Sequence, residues 1–228
     1  MTKEQFQGLI VRYAVATAGL VLVALGVAIS LKSNLGTAPV SCPPAFLNLR
    51  WEAVSVGTFT WMMHIVFILL QVLLLRRKFK LAFLMQIPAA FVFGYLCDAA
   101  IWLVRDLAVP NYAVQMILCL VSVVLTAIGI RIEVAADAWM LAGDKTTAVL
   151  SDVSGVRFST VKILFDVFLV ILSALFGWVA FRNLTGDGSQ VVIREGTLIL
   201  AFCTGLCMRL TDPLIDRVLR PLLKNFHD

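Results

Sequence analysis

The sequence predicts an all-α polytopic membrane protein, with six transmembrane helices arranged as a 3+3 inverted repeat and a short half-helix in each half. Three observations predict it. The 228 residues are 61% hydrophobic and 14% charged, too little polar surface to cover a soluble domain of this length. Six apolar stretches, at 10–31, 56–76, 81–104, 111–131, 158–180 and 195–217, each approach the ~20 residues that a helix needs to cross the hydrocarbon core. Motifs in the first three stretches recur in order in the last three, and three crossings per half, an odd number, turn the halves to opposite orientations.

The chain 1–228 therefore reads as a single membrane domain with repeat halves at 10–104 and 111–217. The first stretch is too long for the apolar core of a secretory signal and has a counterpart in the fourth, so it is expected to be a retained helix. In the repeat, Gly26 matches Gly129, Asn34 matches Asp137, Ala45 and Leu47 match Ala148 and Leu150, and Gly57-Thr58 matches Ser159-Thr160. Ala90-Phe91-x-x-Gly94 returns as Ala201-Phe202-x-x-Gly205.

Between the first two spans, residues 37–49 are too short to cross and too apolar for an ordinary loop. Gly36 permits a sharp turn before them, and Pro39 suits the first turn of a helix. Residues 142–154 hold the equivalent place in the second half, with Gly143 and Asp144 at their start. Both are read as half-helices dipping into the protein from opposite faces. Irregular backbone at membrane depth is tolerated where it is buried in protein or lines a watery cavity. A pair of amphipathic helices lying at the interface is the alternative, with Arg50-Trp51-Glu52 resting among head groups.

Ionisable side chains inside apolar spans are costly and usually face a cavity or a partner. His64 in the second span and Asp166 in the fifth are matched positions of the repeat, each near mid-span. Lys162 lies four residues before Asp166 on the same helical face, so the two form either a local ion pair or part of a solute site. With the half-helix starts, the expected solute-binding set is Asn34, Thr37, Ser41, His64, Asp137, Asp144, Lys162 and Asp166. Asp98 and Arg209, also matched positions, are assigned structural or snorkelling roles. Pro88 is expected to kink the third span, and Trp51, Trp102, Trp139 and Trp178 to form an aromatic belt.

Lys and Arg set orientation. With the N-terminus inside, the inner segments collect Lys3, Arg12, Arg76, Arg77, Lys78, Lys80, Arg131, Lys145, Arg157, Arg217, Arg220 and Lys224, and the outer ones hold Lys32, Arg50, Arg105, Arg182 and Arg194, a bias from which both termini are expected in the cytoplasm. The net charge of +5 thus reflects topology, with anionic membrane lipids as counter-charge, and not a nucleic-acid partner, because no basic stripe is interleaved with exposed aromatics.

Cys42, Cys97, Cys119, Cys203 and Cys207 imply no disulfide framework. Cys203 and Cys207 share a helical face, but no His or further Cys joins them at ligand spacing, so no metal and no cofactor is expected. No phosphate-binding glycine loop, HExxH or Ser/His/Asp set is present, and the chain is not expected to be an enzyme.

The stretch Asn34-Leu35-Gly36-Thr37-Ala38-Pro39, Val56-Gly57-Thr58, and the second-half series from Gly143-Asp144 through Leu150-Ser151-x-x-x-Gly155 to Val161-Lys162-x-x-x-Asp166 resemble the YczE/YyaS/YitT group of bacterial membrane proteins. Gly196-Thr197 at the start of the last span fits as well, and the likeness covers nearly the whole chain. Where that group often carries an Asp two residues after the first-half Pro, this chain has Ser41, and the second-half element is reduced to Ala142-Gly143-Asp144. The resemblance implies a protein of the bacterial cytoplasmic (inner) membrane and leaves the activity open. The expected function is a transporter or facilitator for a small polar or anionic solute, with its site at the repeat interface. The alternative is a non-transporting adaptor that binds a protein or lipid partner.

Overall fold

The computed structural model describes residues 3–76, 81–136, 140–188 and 190–224. Asp137, Trp139, Arg77, Lys78, Lys80 and the side chains of Ser159 and Arg209 lie outside the described residues. The described chain is helical, with no strand in it beyond a single bridge between Gly186 and Val191. Helices α1 (Lys3–Ser33), α3 (Val56–Leu75), α4 (Gln86–Val104), α5 (Tyr112–Ala136) and α7 (Phe158–Phe181) carry the five segments long and apolar enough to cross a membrane. The sixth expected crossing falls in α8 (Glu195–Lys224), whose apolar stretch among the described residues is Glu195–Met208. Large apolar side chains such as Val66, Leu69 and Leu73 of α3 and Leu164, Phe168 and Leu175 of α7 stand exposed along their helices. Contiguous outward faces of this kind suit lipid and not water, so the chain is a multi-pass membrane protein.

Helix α1 is the centre of the bundle. It packs against α4, α5 and α8, and α5 in turn packs against α8. Close approach of α1 and α5 depends on glycine: a Cβ on Gly129 would sit 2.7 Å from the Gly19 carbonyl oxygen, and one on Gly19 would sit 2.8 Å from that of Gly129. The buried core between α1 and α4 comprises Leu20, Val23, Ala24, Val27 and Ala28 of α1 with Phe93, Cys97 and Ala100 of α4.

Two short helices occupy the expected half-helix positions. Helix α1 ends at Asn34 and Gly36, whose φ values of 57° and 102° are in the left-handed region, and the chain reverses there. A single 3-10 turn at Pro39–Ser41 leads into α2 (Cys42–Arg50), with Pro39 in its first turn. Cys42, Pro44, Ala45 and Phe46 of α2 are buried. In the second half, α6 (Ala142–Ser154) buries Ala142, Gly143, Thr146, Thr147 and Val149, and ends on the left-handed Gly155, whose N–H donates to the Ser151 carbonyl. Helix α2 packs on α3 and α7, and α6 packs on α7 and α3.

Pro88 lies near the start of the third span. A 3-10 segment at Leu81–Met85 precedes α4, which begins at Gln86, so Pro88 lies in the first turn, where its missing N–H would have had no helical partner.

Candidate functional site

The starts of both short helices are buried and lie against the long helices of the opposite half. Thr37, fully buried, donates its N–H to the Val192 carbonyl at 3.0 Å and shares a 2.8 Å hydroxyl contact with Ser30. Cys42 follows at the start of α2, its thiol against the Thr37 and Ala38 carbonyls at 3.7 and 3.5 Å, beside Thr197 and within electrostatic reach of Asp166 on α7. The Cys42 side chain is fully buried.

At the start of α6 the relationship is crossed. Asp144, in the first turn, lies within electrostatic reach of His64 on α3. Its carboxylate also pairs with Lys162 on α7 at 3.2 Å, and Lys162 pairs at 3.1 Å with Asp166 one turn further along the same helix. One ammonium thus holds two carboxylates from different helices, with side chains 29%, 24% and 11% exposed for Lys162, Asp144 and Asp166. The local i,i+4 pair is present, but it is half of a three-membered arrangement that joins α6 to α7. His64 is 1% exposed, with Phe67 and Phe93 edge-on to its ring at centroid distances of 6.0 and 5.7 Å. Neither ring nitrogen has a hydrogen-bond partner among the described residues.

Glu133, which the sequence reading did not single out, belongs to the same neighbourhood. It is 2% exposed on the last turn of α5, and its Oε1 accepts from the N–H of Leu141, the residue that caps α6. Its other oxygen, Oε2, has no partner among the described residues, and Asp144 lies within its electrostatic reach. The expected fourth span ended at 131, which placed Glu133 outside the membrane; α5 runs on to Ala136 and buries it. An acid two residues past an apolar stretch that lacks a helix stop was the available signal.

A polar layer seals the far side of α6. The Gln71 amide nitrogen offers its two N–H protons to three acceptors within reach, Gln86 Oε1 at 3.1 Å, the Ala142 carbonyl at 3.2 Å and Thr146 Oγ1 at 3.0 Å, while Gln86 Nε2 donates to Gln71 Oε1 at 3.0 Å. All three side chains are buried, and they tie α3, α4 and α6 together.

The structure brings His64, Asp144, Lys162 and Asp166 to one region. It does not bring Asn34 there: that side chain stays at the end of α1, where its Oδ1 accepts from the Val191 N–H at 2.8 Å and orders the loop before α8. Ser41 is half-buried in the 3-10 turn, and Asp137 lies outside the described residues. Asp98 is structural. Its two oxygens accept from the Gly57 N–H at 2.7 Å and the Ser55 hydroxyl at 2.6 Å, so the carboxylate caps the N-terminus of α3. Among the described residues, no three His, Cys, Asp or Glu side chains converge at metal-ligand spacing.

The chain is 22% identical to the uncharacterized protein YyaS of Bacillus subtilis (strain 168) over 185 residues, which cover 80% of this chain and 87% of that protein. No solved structure matches it. Residues 10–213 match the family model of DUF6198, described as a family of unknown function, and the chain belongs to that family.

Proposed function

We propose that this protein is a transporter or facilitator for a small polar solute, working by alternating access between two inverted halves around the Asp144–Lys162–Asp166 cluster. The observation that carries the reading is the cluster itself: an ammonium shared by two carboxylates at the start of a short helix, next to a buried histidine without a hydrogen-bond partner. Charges inside membrane helices are expensive to maintain, and in such proteins they mark solute or ion pathways.

Packing supports the inverted repeat. A step of 103 positions carries Gly26 to Gly129, Gly19 to Ser122 and Val23 to Thr126. A Cβ on Gly26 would meet the Ser122 carbonyl and Thr126, and a Cβ on Gly129 would meet the Gly19 carbonyl and Val23. Contacts of residue i with j are thus repeated with the partners exchanged, as a two-fold relation requires. Some helix pairs agree, since α1 packs on α4 as α5 packs on α8, and α2 packs on α7 as α6 packs on α3, whereas the packing of α3 on α4 has no counterpart between α7 and α8 among the described residues. In this arrangement α2 and α6 are re-entrant, α8 is the sixth crossing, and both termini lie in the cytoplasm of a bacterial cell, an orientation that the distribution of Lys and Arg supports.

Two carboxylates against one ammonium favour a neutral or positively charged solute over the anionic one. The test is uptake into sealed proteoliposomes of a panel of labelled polar solutes with the parent and Asp166→Asn. Saturable uptake by the parent that the variant lacks is the expected result. No uptake across the panel, with a protein that co-purifies stably, would transfer the assignment to an adaptor.

A further inference from the structure

The end of the bundle at which α1 and α4 finish and α5 begins holds a cavity of about 560 Å³, within the size range of small-ligand sites. The last turn of α1, α2, the first residue of α3, the end of α4 with the segment after it, α5 and the loop before α8 all contribute to its wall. Val56 opens α3 beside the cavity, whereas Gln71, through which α3 meets α6, lies about four turns further along that helix. The cavity is therefore at the opposite end of α3 from the start of α6, where Asp144 lies.

Its wall is part apolar, with Leu31, Ile101 and Val104, and part polar. The charged side chains that line it are Lys32 and Arg105, and among the described residues no acid does so. Lys32 is half-buried and reaches from α1 to the Arg105 carbonyl at 2.5 Å, one bond for an ammonium that carries three donors. It has no carboxylate partner among the described residues. The acids of the surrounding elements are engaged elsewhere: Asp106 pairs with Arg105 at 3.2 Å, Glu195 pairs with Arg194 at 2.8 Å, and Asp187 accepts from the Gln190 N–H at 2.8 Å. Asp98 gives both oxygens to the start of α3, and Arg50 and Glu52, at and beyond the end of α2, are exposed. Asn34, also in the wall, spends its oxygen on the Val191 N–H, which leaves its amide N–H groups as donors. The side-chain amides of Gln115 and Gln190 line the cavity without a hydrogen-bond partner among the described residues.

An ammonium without a paired carboxylate, amide donors and apolar walls in one cavity suit a ligand with an oxyanion group on an apolar body. We infer that this cavity binds a small amphipathic monoanion, its carboxylate or phosphodiester held by Lys32 and the amide N–H groups, its hydrocarbon part against Leu31, Ile101 and Val104. A single negative charge matches the one ammonium, whereas a dianion would keep half its charge uncompensated. Arg105 is shared between Asp106 and the Trp102 ring, 4.9 Å away, and adds attraction at longer range. A free organic acid and an anionic lipid head group carry the same chemistry, and the experiment separates them. The site is distinct from the Asp144 cluster and does not rest on the transport reading.

The test is thermal unfolding of the full-length protein. In a nonionic detergent it is followed with sodium hexanoate, against hexylammonium chloride and sodium chloride at matched ionic strength; in phosphatidylcholine nanodiscs it is followed with and without phosphatidylglycerol. A ligand that binds the native state raises the unfolding temperature saturably, whatever reaction follows. The expected result is a saturable rise with hexanoate, which identifies a free acid, or with phosphatidylglycerol alone, which identifies a lipid, and none with hexylammonium or chloride. Lys32→Met should weaken binding of the effective anion about tenfold or more, and Lys32→Arg, which keeps the charge, should retain it. Val109→Trp, on the segment after α4, fills the cavity with every charge in place and should abolish the response. If Lys32→Met fails to fold for want of its bond to the Arg105 carbonyl, the contrast between Lys32→Arg and Val109→Trp decides. Equal rises with hexanoate and hexylammonium, no rise with either anion, or a rise unchanged in Val109→Trp or in folded Lys32→Met overturns the inference.

Discussion

Gly57 and Gly94 bring α3 and α4 into backbone contact. A Cβ on Gly94 would stand 2.6 Å from the Gly57 carbonyl oxygen, and a Cβ on Gly57 would overlap the carbonyl oxygen of Gly94. Gly205, the repeat counterpart of Gly94, has nothing within 4 Å of the same position. Gly57→Ala and Gly94→Ala should therefore each destabilise the protein by about 1–3 kcal/mol, the usual range for forcing extra volume into a packed contact, while Gly205→Ala should be close to neutral. Unfolding of the three variants in detergent checks this, and equal losses at Gly94 and Gly205 would contradict it.

Asp98 holds the start of α3 by bonds of 2.7 Å to the Gly57 N–H and 2.6 Å to the Ser55 hydroxyl. Ser55 itself caps the helix through the Thr58 N–H at 3.1 Å. Asp98→Ala removes an anion from a helix N-terminus and leaves a donor without its acceptor, which should cost about 1–2 kcal/mol. Because its role is confined to this cap, ligand binding at the Asp144 cluster should keep its affinity. A variant of parental stability but altered binding would reverse the assignment.

Much of this was legible in the sequence for identifiable reasons. Apolar length alone located the long helices, since a membrane demands nothing subtler than ~20 residues without charge. Gly36 and Pro39 announced the first short helix through backbone restrictions that no tertiary context overrides, and φ of Gly36 is 102° as the turn requires. His64, Lys162 and Asp166 stood out because ionisable residues in apolar stretches are rare, and Asp144 because it opens the second short helix. Asn34 was picked for its place before the first short helix and has a different use, since an amide at a helix end can serve a loop 157 residues away, a pairing that composition does not record. Glu133 was lost to a boundary a few residues short. The surroundings of Pro88 were hidden for a related reason: they depend on where the helix starts, and the 3-10 segment before Gln86 carries no distinctive pattern.

Lys162 joins Asp144 at 3.2 Å and Asp166 at 3.1 Å, so its removal takes from both carboxylates the ammonium they share. Breaking a deeply buried pair costs about 3–5 kcal/mol. Here the side chains retain some exposure, and about 1–3 kcal/mol is the expected loss for Lys162→Met. Adding Asp144→Asn to Lys162→Met should recover part of that loss, because the repulsion it relieves is the one the first change created. A double variant whose loss equals the sum of the two single losses would show that the two residues do not interact.

Gln71 and Gln86 exchange bonds of 3.1 and 3.0 Å, and Gln71 also reaches the Ala142 carbonyl and Thr146 at the start of α6. A buried amide pair of this kind costs most when half of it is removed. Gln71→Leu leaves Gln86 without its partner and should destabilise the protein by about 1–3 kcal/mol, whereas Gln71→Leu with Gln86→Leu removes both polar groups and should restore much of the stability. The two predictions separate what the pair does for folding from what it does for position. Gln71 is the side chain through which α3 grips the first turn of α6, two residues from Asp144. The double variant, though stable, should hold α6 less firmly and bind ligand at the neighbouring cluster more weakly than the parent. Unfolding in detergent and binding on the same preparations measure the two effects side by side, and a stable double variant with parental affinity would confine the pair to a packing role.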